Sequence, residues 1–166
     1  MGVAAMAQNT VCNILANSLL GRDLDEEECT VLGGLMGTRQ LQDGEDLVRE
    51  GDDATRTLFI LAAGRITVYG KVAGKETALY QMKVGECAGT RAFVEMTPRQ
   101  ATLRAVGDAT VYTLEPADFE SLLDAHPRIV YRFMRGLFRQ THANLMRMDA
   151  ESQQLSNYIT KTGGRY

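Results

Sequence analysis

The amino-acid sequence predicts an α+β domain in which a jelly-roll-like antiparallel β-roll is flanked by N-terminal helices and a long C-terminal helix. Three zones differ in hydrophobic period. Apolar residues recur at helical spacing in residues 1–38, in short glycine-separated runs in residues 39–115, and at helical spacing again in residues 116–160. Residues 161–166 form a short tail. A chain of 166 residues suits a single domain with these parts.

The N-terminal zone predicts two short helices between Thr10 and Met36. Asp25 is suited to cap the second helix, because its carboxylate accepts hydrogen bonds from free helix N–H groups. The three glutamates that follow it lie near the positive end of the helix dipole. Three glycines weaken this helix and mark its end: Gly33, Gly34 and Gly37.

Short strands with turn residues between them predict the roll. Turns such as Asp43-Gly44 and Gly107-Asp108 separate the runs, and Ile66 and Val68 alternate with neighbours suited to an exposed face. No long helix alternates with these runs, so we expect eight antiparallel strands rather than a parallel α/β sheet. The clearest candidates are Asp46–Arg49, Leu58–Ala62, Ile66–Tyr69, Thr77–Met82, Ala101–Val106 and Thr110–Leu114.

The last zone predicts a short helix followed by a long one. Pro116 suits the first position of the short helix, for which Phe119, Leu122 and Leu123 supply an apolar stripe. His126-Pro127 breaks this helix and begins the long one. Along the long helix, apolar residues recur every three or four positions: Ile129, Val130, Phe133, Met134, Leu137, Phe138, Leu145, Met148, Leu155 and Ile159.

The length of this helix, residues 127–160, leaves two arrangements open. It exceeds most helices of globular proteins, which favours a homodimer in which two copies pair along the exposed length. The alternative is a helix folded back on the roll. Thr141, Asn144 and Ser152 interrupt the apolar seam, so a dimer helix of this kind is weak or locally polar.

Composition argues against several function classes. Eighteen basic against 21 acidic residues leave a net charge of −3, whereas nucleic-acid-binding domains usually carry a basic excess. His126 and His142 are too few for an imidazole metal cage. Three separated cysteines, Cys12, Cys29 and Cys87, predict reduced thiols in a cytoplasmic protein. Neither a signal peptide nor a membrane span is expected.

Enzymatic function is not expected either. A cupin-type barrel would carry histidine ligands on its strands, and the strand zone has no histidine. No local motif pairs a cysteine with one of the two histidines as a nucleophile and base. Carboxylates in turns, such as Asp52 and Asp53, are more often solvated than catalytic. We therefore predict no catalytic residue, no metal and no resident cofactor.

The segment of residues 85–102 contains the most informative pattern. It leaves a strand, turns at Gly89, makes about one helical turn, and enters the next strand through Pro98-Arg99. Free N–H groups at the start of such a turn favour an anion, and a guanidinium can bind two oxygens of a phosphate. Alone this signal is weak, because an arginine after a proline often lies at the surface.

The whole segment resembles the phosphate-binding cassette of the cyclic nucleotide-binding domain family, approximately G-D-x-F-G-E-L-A-L-x-x-x-x-P-R-A-A-T. Gly85-Glu86, Gly89, Ala92 and Pro98-Arg99-x-Ala101-Thr102 match this pattern. Residues 51–64 also resemble the family's G-D-x-A-D-x-h-Y-h-I-x-x-G stretch with one additional residue. The order of helices and roll is similar to sensory domains of the catabolite-activator type, over residues 19–160.

The resemblance implies a ligand site for cyclic AMP, cyclic GMP or another small anionic nucleotide. Thr90 replaces the glutamate that holds the ribose hydroxyl in the family. Arg91 replaces an apolar residue, and it either attracts a different anion or pairs with Glu95 four residues later. By the family's spacing, the base meets the long helix near Asn144 and Leu145. The implied ligand-binding residues are Gly89, Thr90, Arg91, Ala92, Arg99, Gln100 and Asn144.

Three functions remain open from the sequence. The first is a ligand-sensing regulatory domain that signals through its C-terminal helix. The second is a degenerate, non-binding domain that serves dimerisation or protein interaction. The third is the sensory half of a transcription regulator, because the six residues after the long helix, 161–166, cannot hold a helix-turn-helix domain.

Overall fold

Eight short strands form two four-stranded antiparallel sheets, which confirms the predicted roll. The computed structural model describes residues 10–162. One sheet has the order β1-β8-β3-β6 and the other β2-β7-β4-β5. The strands are β1 Gly37–Leu41, β2 Asp46–Val48, β3 Leu58–Ala63, β4 Ile66–Val72, β5 Lys75–Gln81, β6 Cys87–Ala88, β7 Thr102–Ala105 and β8 Ala109–Leu114.

Helices lie before, within and after the roll. None of the helices within residues 10–162 has the length and apolarity needed to span a membrane. The predicted parts that comprise residues 1–9 and 163–166 lie outside the described residues. The helices are α1 at residues 10–16, α2 Glu26–Gly34, α3 Thr90–Glu95, α4 Pro116–Glu120, α5 Leu122–Ala125 and α6 Pro127–Thr162.

The structure differs from the sequence prediction at the elements with the weakest hydrophobic pattern. Strands β1 and β6 were absent from the six candidate runs. Four of the five residues in β1 are exposed, and β6 has only two residues, so neither shows a period of two. The helix expected after Pro116 is two short helices, α4 and α5, and Leu123 is exposed rather than part of a buried stripe.

The N-terminal boundary of α2 follows from a capping box. Asp25 accepts a hydrogen bond from the Glu28 N–H at 2.9 Å, and Glu28 accepts one from the Asp25 N–H at 3.1 Å. The buried Glu28 carboxylate also pairs with Arg132 of α6. The predicted cap is therefore confirmed, and it also connects the N-terminal helices to the C-terminal helix.

Two apolar clusters hold the domain together. One fills the roll between the sheets, with Leu61, Ile66 and Val111 fully buried. The other lies between the roll and the helices, where Phe133 of α6 packs against Phe119 with ring centroids 5.2 Å apart. The first half of α6 thus folds back on the domain, as one of the two arrangements predicts. Beyond Gln140 its side chains are mostly exposed.

Gly136 allows α6 to approach the segment after α1 very closely. A Cβ atom at this position would overlap the Leu20 carbonyl group. Arg139, one turn later, donates a hydrogen bond to the Leu19 carbonyl at 2.9 Å and pairs with Asp23 at 2.7 Å. The close contact and the ion pair therefore fix α6 to the N-terminal segment at the same place.

We predict that Gly136→Ala destabilises the fold. A glycine-to-alanine change inside a helix normally stabilises it by about 1 kcal/mol, but overlap with main-chain atoms costs about 1–3 kcal/mol. Gly34→Ala is the matched control, because Gly34 is exposed at the end of α2. Urea denaturation should show a lower midpoint for Gly136→Ala only. Equal midpoints for that variant and the wild type would contradict the close contact.

Candidate ligand-binding site

The turn between β6 and α3 brings the main chain close to a buried arginine. Gly89 has a φ of 84°, in the left-handed region that glycine adopts readily. A Cβ atom here would lie 2.6 Å from Nη1 of Arg99 and 3.0 Å from the Thr57 carbonyl oxygen. Glycine is therefore required at this position both by the backbone conformation and by the space beside Arg99.

Arg99 is fixed by neutral groups. Its side chain is buried, with 4% of the residue exposed. Nη1 donates a hydrogen bond to the Thr57 carbonyl at 2.9 Å, and Nη2 donates one to Thr55 Oγ1 at 3.1 Å. The guanidinium also lies over the ring of Phe59, 5.1 Å from its centroid. These contacts hold its position without neutralising its charge.

No carboxylate within residues 10–162 forms an ion pair with Arg99, and its Nε finds no hydrogen-bond acceptor among them. Burial lowers the pKa of the guanidinium and the neighbouring Arg56 lowers it further, whereas the carboxylates of Glu115 and Asp52, which lie beyond ion-pair distance, raise it. Arginine nevertheless keeps its proton in proteins. A buried cation without a direct ion pair is costly, so this site favours an anion.

A cavity of about 150 Å³ lies beside this arginine. Its wall includes Gly89, Thr90, Ala92 and Arg99, so the structure brings these four predicted residues together. The Thr90 hydroxyl lies 3.6 Å from the Cys87 sulfur. Burial raises the pKa of the Cys87 thiol to about 11, so this thiol is neutral. The position of the family's glutamate is therefore occupied by neutral groups.

Two further predicted residues border this cavity but have partners elsewhere. Arg91 is exposed and pairs with Glu95 at 3.1 Å, so the second of the two roles considered for it is the one observed. Gln100 is exposed, and its amide donates a hydrogen bond to the Pro98 carbonyl at 3.1 Å.

Asn144 lines a second cavity, of about 400 Å³, between α6 and the sheet that contains β4 and β5. Val68 and Ala88 line both cavities, so the two are neighbours. Asn144 therefore lines the neighbouring cavity rather than the pocket beside Arg99, on the wall formed by the long helix.

Polar side chains that sequence analysis did not select complete the wall of the larger cavity. The Tyr80 hydroxyl donates to Glu86 at 2.7 Å. Burial is the main cause that raises the pKa of Tyr80 to about 12, and this hydrogen bond is the second. The guanidinium of Arg147 lies 3.9 Å from the centre of the Tyr80 ring. Gln140 is buried and donates to the Cys87 carbonyl at 3.3 Å.

A sequence signal for two of these residues did exist. Gln140 and Arg147 lie four positions before and three positions after Asn144, and this spacing puts all three on one helix face. No comparable signal identified Tyr80, because the folding of α6 across the sheet, which brings Arg147 onto its ring, is not visible in the sequence.

The family model of the cyclic nucleotide-binding domain matches residues 38–126, which is more than half of the chain. The chain belongs to this family. A curated relative of this cyclic nucleotide-binding domain is a cAMP-dependent protein kinase regulatory subunit from Candida albicans, 26% identical over 102 residues. The match covers 61% of the chain and 21% of that relative, so the chain spans about a fifth of the relative's length.

Solved structures share the fold of this cyclic nucleotide-binding domain. A co-crystal structure of the regulatory domain of Toxoplasma gondii PKA with cAMP has a TM-score of 0.62 and 25% identity, covering 69% of this chain and 43% of that one. A cyclic nucleotide-binding domain from Methylobacillus flagellatus has a TM-score of 0.78 and 19% identity, covering 87% and 81%.

We predict that Gly89→Ala destabilises this cyclic nucleotide-binding domain more than Gly74→Ala. Both glycines have positive φ, 84° and 77°, and an alanine there costs about 1–2 kcal/mol. Only at Gly89 does the new methyl group also meet Arg99, since nothing lies within 4 Å of a Cβ at Gly74. Thermal denaturation of the two variants measures the difference. Equal losses would show that Arg99 can move aside freely.

Proposed function

We propose that this domain is a ligand-sensing regulatory domain that binds a cyclic nucleotide, cyclic AMP or cyclic GMP. The cyclic phosphate lies beside Arg99 at the Gly89–Ala92 turn. The observation that carries this proposal is the buried guanidinium of Arg99, which has neutral hydrogen-bond partners and no ion pair within residues 10–162. A phosphate supplies the missing negative charge and two oxygens for the guanidinium.

The sugar end of the site is weaker than the family pattern. A glutamate in place of Thr90 would accept charge-assisted hydrogen bonds from a ribose hydroxyl. The loss of one such contact costs about 1.5–3 kcal/mol, or about 10- to 150-fold in affinity. We therefore propose binding that is weaker than in family members with the glutamate. Gln100 and Arg91 contribute only at the border of the site, because both side chains are exposed.

The larger cavity supports the proposed place of the base. It adjoins the Arg99 pocket, its floor includes apolar side chains such as Val68 and Met82, and Asn144 lies on its helical wall. A base bound there touches α6 directly. Occupancy then changes the position of α6 to the extent that the ligand binds one helix position more tightly than another.

We propose a regulatory rather than a catalytic role and a cytoplasmic location. Three free cysteines support a reducing compartment.

The first test is the removal of the Arg99 charge. Arg99→Ala should weaken the binding of cyclic AMP and cyclic GMP by about 30-fold or more, because a buried charged contact is worth about 2–5 kcal/mol. Arg22→Ala is the matched control, since that arginine is exposed and lines neither of the two cavities. Isothermal titration calorimetry measures the dissociation constants of both variants and of the wild type.

Thermal shift checks the result independently, since ligand at 100 times its dissociation constant adds about 2.7 kcal/mol of stability. Arg99→Lys keeps the positive charge but loses the paired donors of the guanidinium. A folded Arg99→Lys variant that binds weakly shows that binding is lost without loss of folding. No stabilisation of the wild type by millimolar cyclic nucleotide would contradict the proposed function. It would support the degenerate interaction module instead.

We also propose that two copies pair through the exposed face of the long helix, residues 127–160. Large apolar side chains are exposed at heptad spacing, and a second copy with the same face can cover them. Thr141 and Ser152 interrupt this seam, so the pairing is weak. The exposed seam residues are Tyr131, Met134, Phe138, Leu145, Met148 and Leu155.

Leu145→Glu tests the dimer. A charge in the middle of the seam of each helix should shift the protein to monomers. Ala143→Glu is the control and should not do so, because Ala143 lies on the face of the helix opposite the seam. Analytical ultracentrifugation over a range of protein concentrations measures the change. A wild-type protein that stays monomeric at high concentration would contradict this proposal.

A further inference from the structure

The larger cavity offers its ligand more hydrogen-bond donors than acceptors. The Glu86 carboxylate already accepts hydrogen bonds from the Tyr80 hydroxyl at 2.7 and 2.8 Å and from the Lys83 N–H at 2.8 Å. Glu151 accepts from Arg147 at 3.1 Å, and the Cys87 carbonyl accepts from Gln140 at 3.3 Å. Both oxygens of Glu86 and the Cys87 carbonyl are therefore engaged within the protein, and one oxygen of Glu151 is held by Arg147.

Arg147 is the strongest donor at this wall. Its guanidinium carbon lies over Tyr80, 3.9 Å from the ring centre, and one amino group donates to Glu151. These two contacts hold the guanidinium at the cavity wall. Its Nε is buried and has no acceptor among residues 10–162. Arginine has donors only, so a ligand atom that complements this group is an acceptor.

The neighbouring amides do not discriminate between bases. Asn144 carries both a donor and an acceptor on its side chain, and an amide can present either group by rotation. Gln140 donates one N–H to the Cys87 carbonyl, and its side chain still has a second N–H donor and a carbonyl acceptor. Discrimination at this wall therefore falls to Arg147.

Purines differ at the edge that such a donor meets. Guanine carries two acceptors there, O6 and N7, and arginine binds both. Adenine carries the acceptor N7 but an amino group at position 6, which also donates. An adenine amino group facing Arg147 would leave two donors opposed to each other, whereas a carbonyl at position 6 complements the guanidinium.

We propose that Arg147 determines base specificity and that the site takes a 6-oxopurine cyclic nucleotide in preference to an adenine one. This inference rests on the proposed function, since it concerns the base end of the same site. Arg147 acts here as a specificity-determining residue, and Arg99 remains the phosphate contact.

The experiment compares three ligands by calorimetry: cyclic GMP, cyclic IMP and cyclic AMP. Cyclic IMP keeps the carbonyl at position 6 but lacks the 2-amino group of guanine, so it isolates the contact with Arg147. We expect the wild type to bind cyclic GMP and cyclic IMP about tenfold more tightly than cyclic AMP. Arg147→Ala should remove this preference, and cyclic AMP affinity should change little.

Arg147→Gln gives a second variant in which the preference should turn towards cyclic AMP, because a glutamine amide matches adenine. Arg128→Ala, at an exposed position near the start of the same helix, is the control and should keep the wild-type order. Urea denaturation of each variant without ligand verifies folding.

The outcomes separate this inference from the function on which it rests. Equal binding of all three ligands, or a preference for cyclic AMP in the wild type, overturns the specificity and leaves cyclic nucleotide binding intact. A preference for cyclic GMP that persists in Arg147→Ala also overturns it. Failure of all three ligands to bind the wild type overturns both proposals.

Discussion

The burial of one positive charge organises the centre of this domain. The Arg99 main chain is fixed by hydrogen bonds with Gly51 and Asp52, and its side chain is held by the Thr57 carbonyl and the Phe59 ring. The β6–α3 turn approaches it through a residue without a side chain, Gly89. Because none of these contacts neutralises the guanidinium, the surrounding segments shape a pocket whose charge favours an anion.

The long helix combines two environments in one continuous element. Its first half is part of the apolar core and forms ion pairs with acidic residues of the N-terminal segment, such as Arg139 with Asp23. Its middle forms a wall of the larger cavity through Gln140, Asn144 and Arg147. Its side chains from Met148 to Lys161 are exposed. Any change at the cavity wall therefore acts on an element that is anchored at one end and open to solvent at the other.

Sequence patterns predicted the roll, the Asp25 cap and the turn beside Arg99, because each depends on local chemistry such as a cap or a glycine with positive φ. They missed β1 and β6, which lack a hydrophobic period, and they missed Tyr80 and Arg147. Those two side chains meet only after β5 pairs with β4 and α6 folds across the sheet. Contacts between distant segments depend on tertiary packing, which local spacing does not encode.

The length of α6 has a mechanical consequence. With 36 residues and a rise of about 1.5 Å per residue, the helix is about 54 Å long. About 27 Å of it extends from Asn144 to its end at Thr162. A tilt of about 10° at the cavity wall therefore displaces that end by about 5 Å, close to one helical turn. In the proposed sensing role, a small tilt of α6 at the pocket therefore moves its far end several times farther than the residues of the cavity wall.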